Sequence, residues 1–231
     1  MTTSRHFQGG RSYHVTQRCH GRAFLLGKDI DRRAYLNLLW EAKQVWPVSL
    51  FAYNLTSNHV HLLLSAEEHE ALSGFMAHVS GAMGRNYNRR KGRAGAFWEG
   101  RYRSTLIQDG SHLSRCLFYI EMNMVRAGVV AHPREWPWSS YRELCGERQR
   151  YRLLDVDLLL RKLACGPDRD HFRQWYRATL DAMSERRTEL RREPWWGRAG
   201  IVGDRQFVAR LIDKRHAKDI VELEDGTCMW A

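Results

Sequence analysis

The run VSLFAYNLTSNHVHLLLS (residues 48–65) decides how this chain folds. Two apolar stretches, 48–55 and 59–65, flank the polar triplet Thr56-Ser57-Asn58, the pattern of two neighbouring strands joined by a short turn. Residues two apart on a strand point to the same face, with alpha carbons roughly 6.5–7 Å apart. His59 and His61 therefore share one side, and Val60 and Leu62 the other. Two neutral imidazoles at that spacing suit one divalent cation. An isolated His-x-His is more often a pair of surface or hydrogen-bonded core histidines. This pair, however, interrupts an apolar strand, where an unpartnered imidazole is costly to bury.

Elements on either side of this hairpin follow from periodicity. Upstream, RSYHVTQR (11–18) alternates Tyr13 and Val15 with His14 and Thr16, a half-buried strand. In DIDRRAYLNLLWEAKQVW (29–46), Tyr35, Leu38, Leu39, Ala42, Val45 and Trp46 form one helical stripe; Asp29 or Asp31 is placed to cap it and Pro47 to end it. Downstream, EEHEALSGFMAHVSGAMGRNYNRRKG (67–92) carries Leu72, Phe75, Met76, Val79 and Met83 at helical spacing and ends in the basic run Arg89, Arg90, Lys91 and Arg93. GAFWEGRYRSTLIQD (95–109) reads as a fourth strand bent at Gly100, with Arg101 and Arg103 alternating along it. The order β-α-β-β-α-β predicts an α+β, ferredoxin-like fold: an antiparallel sheet with helices on one face. A third helix, SHLSRCLFYIEMNMVRAG (111–128), is closed by Gly128. Beyond the Pro- and Trp-rich connector HPREWPWSSYREL (132–144), short helical pieces follow, the clearest being 170–193. The division expected is residues 1–145 as the functional domain and 146–231 as a helical C-terminal extension packed on it.

Composition narrows the class. The 231 residues include 37 Lys and Arg against 26 Asp and Glu, a formal charge of +11. A domain this basic favours a polyanion, because each neutralised phosphate releases condensed counterions. Nine Trp and nine Tyr among the arginines favour unpaired bases, on which aromatic rings stack. Five scattered cysteines without a CxxC pair argue against a disulfide framework and a zinc finger, and fit a reducing cytoplasm. No stretch has the apolar length of a membrane span, and MTTSRHFQGG (1–10) lacks the apolar core of a leader peptide. No GxxxxGK[ST] phosphate loop occurs.

In the third helix, Leu113, Leu117, Ile120 and Met124 form the core stripe, with Tyr119, Asn123 and Arg126 bordering it, one residue (about 100°) round. Taken with the histidine pair, these residues resemble the HUH single-tyrosine transposases, in particular the REP-associated tyrosine transposases. The resemblance rests on YHVTQR (13–18), NHVHLLL (58–64), FWEGRYRSTLI (97–107), YIEMNMVRAGVV (119–130) and WPWSSY (136–141), in family order. It departs from the family at Thr56-Ser57, often Met-Pro, and at Met124, often Pro.

The resemblance implies a metal-dependent endonuclease and strand transferase acting on single-stranded DNA hairpins of the REP-like palindrome type. Tyr119 matches the nucleophile, and His59, His61 and Asn123 match the ligands of a Mg2+ or Mn2+ ion. Arg101, Arg103, Arg126, Arg89, Arg90, Lys91 and Trp138 are the expected DNA contacts. It further implies a cytoplasmic, nucleoid-associated monomer. The alternatives are a hairpin-binding protein that no longer cuts, and a mobile-element transposase acting as a dimer. Histidine-triad hydrolases require a third histidine where this chain has Leu63, and two-histidine phosphoesterases require a second strand motif to match His14-Val15-Thr16.

Overall fold

The computed structural model describes residues 7–147, 150, 152–212 and 219–230. Residues 1–6, most of the stretch read above for a leader, lie outside the described residues, as do scattered positions of the extension. Strand β1 (Ser12–Arg18) is followed by helix α1 (Asp29–Val45), the hairpin β2 (Val48–Leu55) and β3 (His59–Ala66), helix α2 (His69–Lys91) and strand β4 (Arg103–Ile107). Then come α3 (Ser111–Glu121), α4 (Asn123–Arg126), α5 (Tyr141–Leu144), α6 (Val156–Leu163) and α7 (Arg169–Glu185). The chain closes with β5 (Ile201–Gly203), α8 (Arg205–Leu211), β6 (Val221–Glu222) and β7 (Cys228–Trp230).

The sheet order is β2-β3-β1-β4-β5-β7-β6, and its first four strands form the antiparallel ferredoxin-like core. The extension contributes strands as well as helices: β5 adds in parallel to β4, Leu106 opposite Ile201, and β7 and β6 follow antiparallel. Segments of two or three residues are too short to show the alternation by which sequence reveals a strand.

Two apolar layers sandwich the sheet. Val15, Leu50, Tyr53, Leu55, Val60, Leu62 and Leu64 face α1 and α2, which supply Tyr35, Leu39, Phe75, Met76 and Val79. Phe51, Leu63 and Ile107 face the opposite side, under Leu113, Leu117 and Ile120 of α3. The one-sided helix layer expected for the core thus holds for α1 and α2, while α3 and the extension cover the second face. In the extension, Asp168 caps α7 by accepting the Asp170 and His171 amides at 2.8 and 3.1 Å. That helix lays Phe172, Tyr176 and Leu180 onto α3, the Phe118 and Tyr176 rings stacking with centroids 6.0 Å apart.

Three local expectations are corrected. Helix α1 begins after Lys28 with no side-chain cap; Asp29 and Asp31 lie inside its first turn, where their negative charge complements the positive end of the helix dipole, and Asp31 pairs with Arg90. The fourth strand starts only at Arg103, so Arg101 sits in the loop before it and the two arginines do not alternate on one strand. The third helix breaks at Met122 (φ −76°, ψ 4°), leaving Tyr119 on α3 and Asn123 at the start of α4. Gly128, with φ +71°, does terminate the run, its amide bonding the Val125 carbonyl at 2.9 Å.

Candidate active site

The register of the sheet builds the site. On β3, His59, His61 and Leu63 alternate on the α3 side, opposite Arg18, Thr16 and His14 of β1 respectively. Across β1 from Thr16 stands Arg103 of β4. One face of the sheet thus changes from apolar beneath α3 (Leu63, Ile107) to polar at its other end. There it opens into a cleft of about 770 Å³ that gathers His59, His61, Tyr119, Asn123 and Arg126.

Hydrogen bonds fix both histidines. His59 Nδ1 lies 2.7 Å from Asn58 Oδ1 and 2.9 Å from Thr56 Oγ1. The Thr56 hydroxyl is committed to the His59 carbonyl at 2.9 Å, so the imidazole is the donor and Nδ1 carries its proton. His61 Nδ1 lies 2.8 Å from His14 Nε2, and Asn123 Nδ2 donates to His61 Nε2 at 3.1 Å. Burial holds His59 at a pKa of about 4 and pushes His61 well below its ordinary value; nearby positive charges add to both shifts. Both rings are therefore neutral at pH 7, the state in which imidazole binds a metal.

Tyr119 projects from α3 over this pair, its ring centroid 6.3 Å from those of His61 and His14. Arg126 Cζ lies 4.1 Å above the tyrosine ring, a cation–π contact, and Arg126 Nη2 donates to the Tyr119 carbonyl at 3.3 Å. Burial raises the phenol's pKa, while Arg126 and Arg192 pull the other way by favouring the phenolate.

The donors present fit a weakly held divalent cation. His59 and His61 have Nδ1 occupied, which leaves the Nε2 lone pairs as ligating atoms, and the Asn123 amide offers an oxygen once rotated. Among the described residues no group of three or more His, Cys, Asp or Glu forms a metal cage. Two imidazoles and an amide carry no negative charge, so the remainder of a Mg2+ shell falls to phosphate oxygens and water.

Of the expected DNA contacts, Arg101, Arg103 and Arg126 line the cleft; Arg89, Arg90, Lys91 and Trp138 do not. Arg90 is committed to the buried Asp31 carboxylate, at the C-terminal end of α2. Trp138 packs against the apolar layer of α1 and α2, with the Arg32 guanidinium 5.9 Å from its ring. Sequence reading missed Arg18, Arg22, Arg192 and Arg198, which bring the cleft to seven arginines against the single carboxylate Glu99. The last two come from the extension, where no periodicity ties them to a site. His14 is placed by the sequence in the alternation of β1, in the motif 13–18 and in a phosphoesterase-like triplet, none of which assigns it to this site.

A four-stranded ferredoxin-like core, with a His-x-His strand facing a helical tyrosine, defines a protein of the HUH single-tyrosine class. The chain belongs to the IS200-like transposases: residues 9–123 match the family model described as "Transposase IS200 like". A Haemophilus influenzae (strain Rd) protein, provisionally named a REP-associated tyrosine transposase, is 29 % identical over 106 residues, covering 42 % of this chain and 60 % of that one. The solved structure of a REP-associated tyrosine transposase bound to a REP hairpin aligns with a TM-score of 0.54 at 18 % identity, over 66 % of this chain and 90 % of that one. That second likeness is one of fold. Among the described residues no helix is long and apolar enough to cross a membrane.

Proposed function

We propose that this protein is a metal-dependent single-stranded DNA endonuclease and strand transferase that cuts and rejoins DNA at REP-type hairpins through a 5′-phosphotyrosine on Tyr119. The observation that carries this reading is the meeting of Tyr119, His59, His61 and Asn123 in one arginine-lined cleft. In the reaction, the Tyr119 phenol oxygen bonds to phosphorus and the bond from phosphorus to the 3′-oxygen breaks. The phenolic proton is lost, and the leaving oxygen gains one to become a free 3′-hydroxyl. The linkage conserves the phosphodiester energy, so that hydroxyl, or another, reverses the step without ATP. Arg126 favours the phenolate and, with Arg103 and Arg101, neutralises the phosphate path. A Mg2+ or Mn2+ ion on His59, His61 and Asn123 supplies Lewis-acid polarisation of the scissile phosphate.

Residues 1–145 hold the chemistry in this reading, and 146–231 form the extension, of whose described residues Arg192, Pro194, Gly197 and Arg198 furnish the far wall of the cleft. One chain contributes every group named, which favours a monomer over a dimer that exchanges tyrosines. The intact tyrosine and histidines favour cutting over binding alone. A cytoplasmic, nucleoid-associated protein fits the basic charge and free thiols.

The test mixes the protein with single-stranded REP hairpins, with and without Mn2+, and resolves products on denaturing gels. A metal-dependent protein–DNA adduct that disappears in Tyr119→Phe is the expected result. Tight hairpin binding with no adduct would replace the nuclease by a hairpin-binding protein.

A further inference from the structure

His14 takes no part in the chemistry above, yet it is 1 % exposed and lies directly behind His61. Its Nδ1 lies 2.5 Å from the carbonyl oxygen of Trp196, a residue of the extension. A carbonyl only accepts, so His14 Nδ1 must carry a proton and donate it. The ring is fully buried and its two nitrogens meet a carbonyl and another imidazole rather than a carboxylate, so it is held neutral and its Nε2 keeps a lone pair. The 2.8 Å contact to His61 Nδ1 is then a bond in which His61 donates. His61 Nε2 is left unprotonated, in agreement with its acceptance of the Asn123 amide at 3.1 Å. Every proton in the series Asn123, His61, His14, Trp196 is thereby assigned by the acceptor-only group at its end.

We propose that His14 is a positioning residue: with the Trp196 carbonyl it locks the His61 proton on Nδ1 and keeps the Nε2 lone pair turned to the cleft. The inference rests on the reading of His61 as a metal ligand and extends it to a second layer that the extension completes. Imidazole in water prefers its proton on Nε2, the wrong nitrogen for this site. Binding to His14 reverses that preference, as carboxylates or carbonyls do behind other metal-bound histidines. An ordinary core histidine in this place would need only to be satisfied itself; it would have no bearing on the neighbouring tautomer.

Long-range 1H–15N spectra of 15N-histidine-labelled, metal-free protein read the tautomer directly. Mn2+ titration of the hairpin-bound protein by EPR reads the consequence. In wild type, His61 shows the Nδ1–H form. His14→Phe preserves volume but offers no acceptor; it shifts His61 to Nε2–H and weakens Mn2+ binding roughly 10–100-fold, the usual cost of losing an outer-shell partner. His14→Gln restores most of both, because one amide accepts from His61 and donates to the Trp196 carbonyl. An Nε2–H form in wild type, an unchanged tautomer in His14→Phe, or equal losses in the Phe and Gln variants would each overturn the proposal. Should wild type bind no Mn2+ on the hairpin, the metal-dependent nuclease falls, while the tautomer comparison still judges His14.

Discussion

Tyr119 lies between opposing influences: a half-buried setting that favours the neutral phenol, and the guanidinium of Arg126 stacked 4.1 Å from its ring centre. Removing that cation raises the phenol pKa further, and each unit costs about tenfold in phenolate at neutral pH. Arg126→Ala should therefore slow adduct formation at pH 7 and move its pH profile upward, measured between pH 7 and 10. An equal loss at every pH would instead make Arg126 a DNA contact alone. Asn123→Asp places a carboxylate against the His61 ring, a harder and charged donor that Mg2+ and Mn2+ prefer. Calorimetry on the hairpin complex should show about tenfold tighter Mn2+ binding. The histidine pair, Tyr119, Asn123 and Arg126 were legible because strand and helix periodicity place each relative to its own backbone. His14 behind His61, and Arg192 and Arg198 across from it, were not: those neighbours depend on pairing between distant segments, which no local spacing records.

Helices α1 and α2, the hairpin and strand order were all readable from apolar stripes and turn residues. The break at Met122 was not, because residues 111–127 hold neither Gly nor Pro and Met is a good helix former. Its physical accompaniment is tertiary: the Ile120 carbonyl accepts Asn54 Nδ2 at 2.8 Å, and Glu121 takes a hydrogen bond from Ser140, both partners lying outside the helix. Packing between α1 and α2 makes a second test. Glycine inside a helix ordinarily costs about 1 kcal/mol relative to alanine. At Gly74, however, a β-carbon would stand 2.4 Å from the Trp46 ring, so the indole requires the bare backbone of α2. Gly74→Ala should lower stability by roughly 1–3 kcal/mol, the range for overpacking, in urea unfolding. A gain would mean that Trp46 swings away freely.

The apolar layer beneath α3 encloses the carboxyl of Glu121, which is 1 % exposed; burial lifts its pKa from 4.5 to about 7. The folded state then holds this proton more tightly than the unfolded chain. The stability it contributes is complete below about pH 4.5 and is lost as pH rises through 7. Glu121→Gln should remove that decline, on the order of 3 kcal/mol between pH 5 and 8, in urea titrations at the two pH values. A parallel pH dependence in the variant would assign the decline elsewhere. The seven cleft arginines carry the corresponding electrostatic test. If Arg192 contacts a phosphate of a single strand, Arg192→Ala should reduce the slope of log affinity against log salt by about 0.7. An unchanged slope would leave Arg192 at the phenol and off the DNA path.

The carbonyl that orients His14 stands 182 residues after it in sequence. At about 5–20 residues per second, a ribosome needs roughly 10–40 s to travel that distance. For most of that interval the nascent chain carries His59 and His61, and for its later part Tyr119 as well, without the bond to Trp196 that fixes the His14 ring. Timing is thus built into the order of the polypeptide: the support behind His61 is complete only once every residue from 14 to 196 has been made.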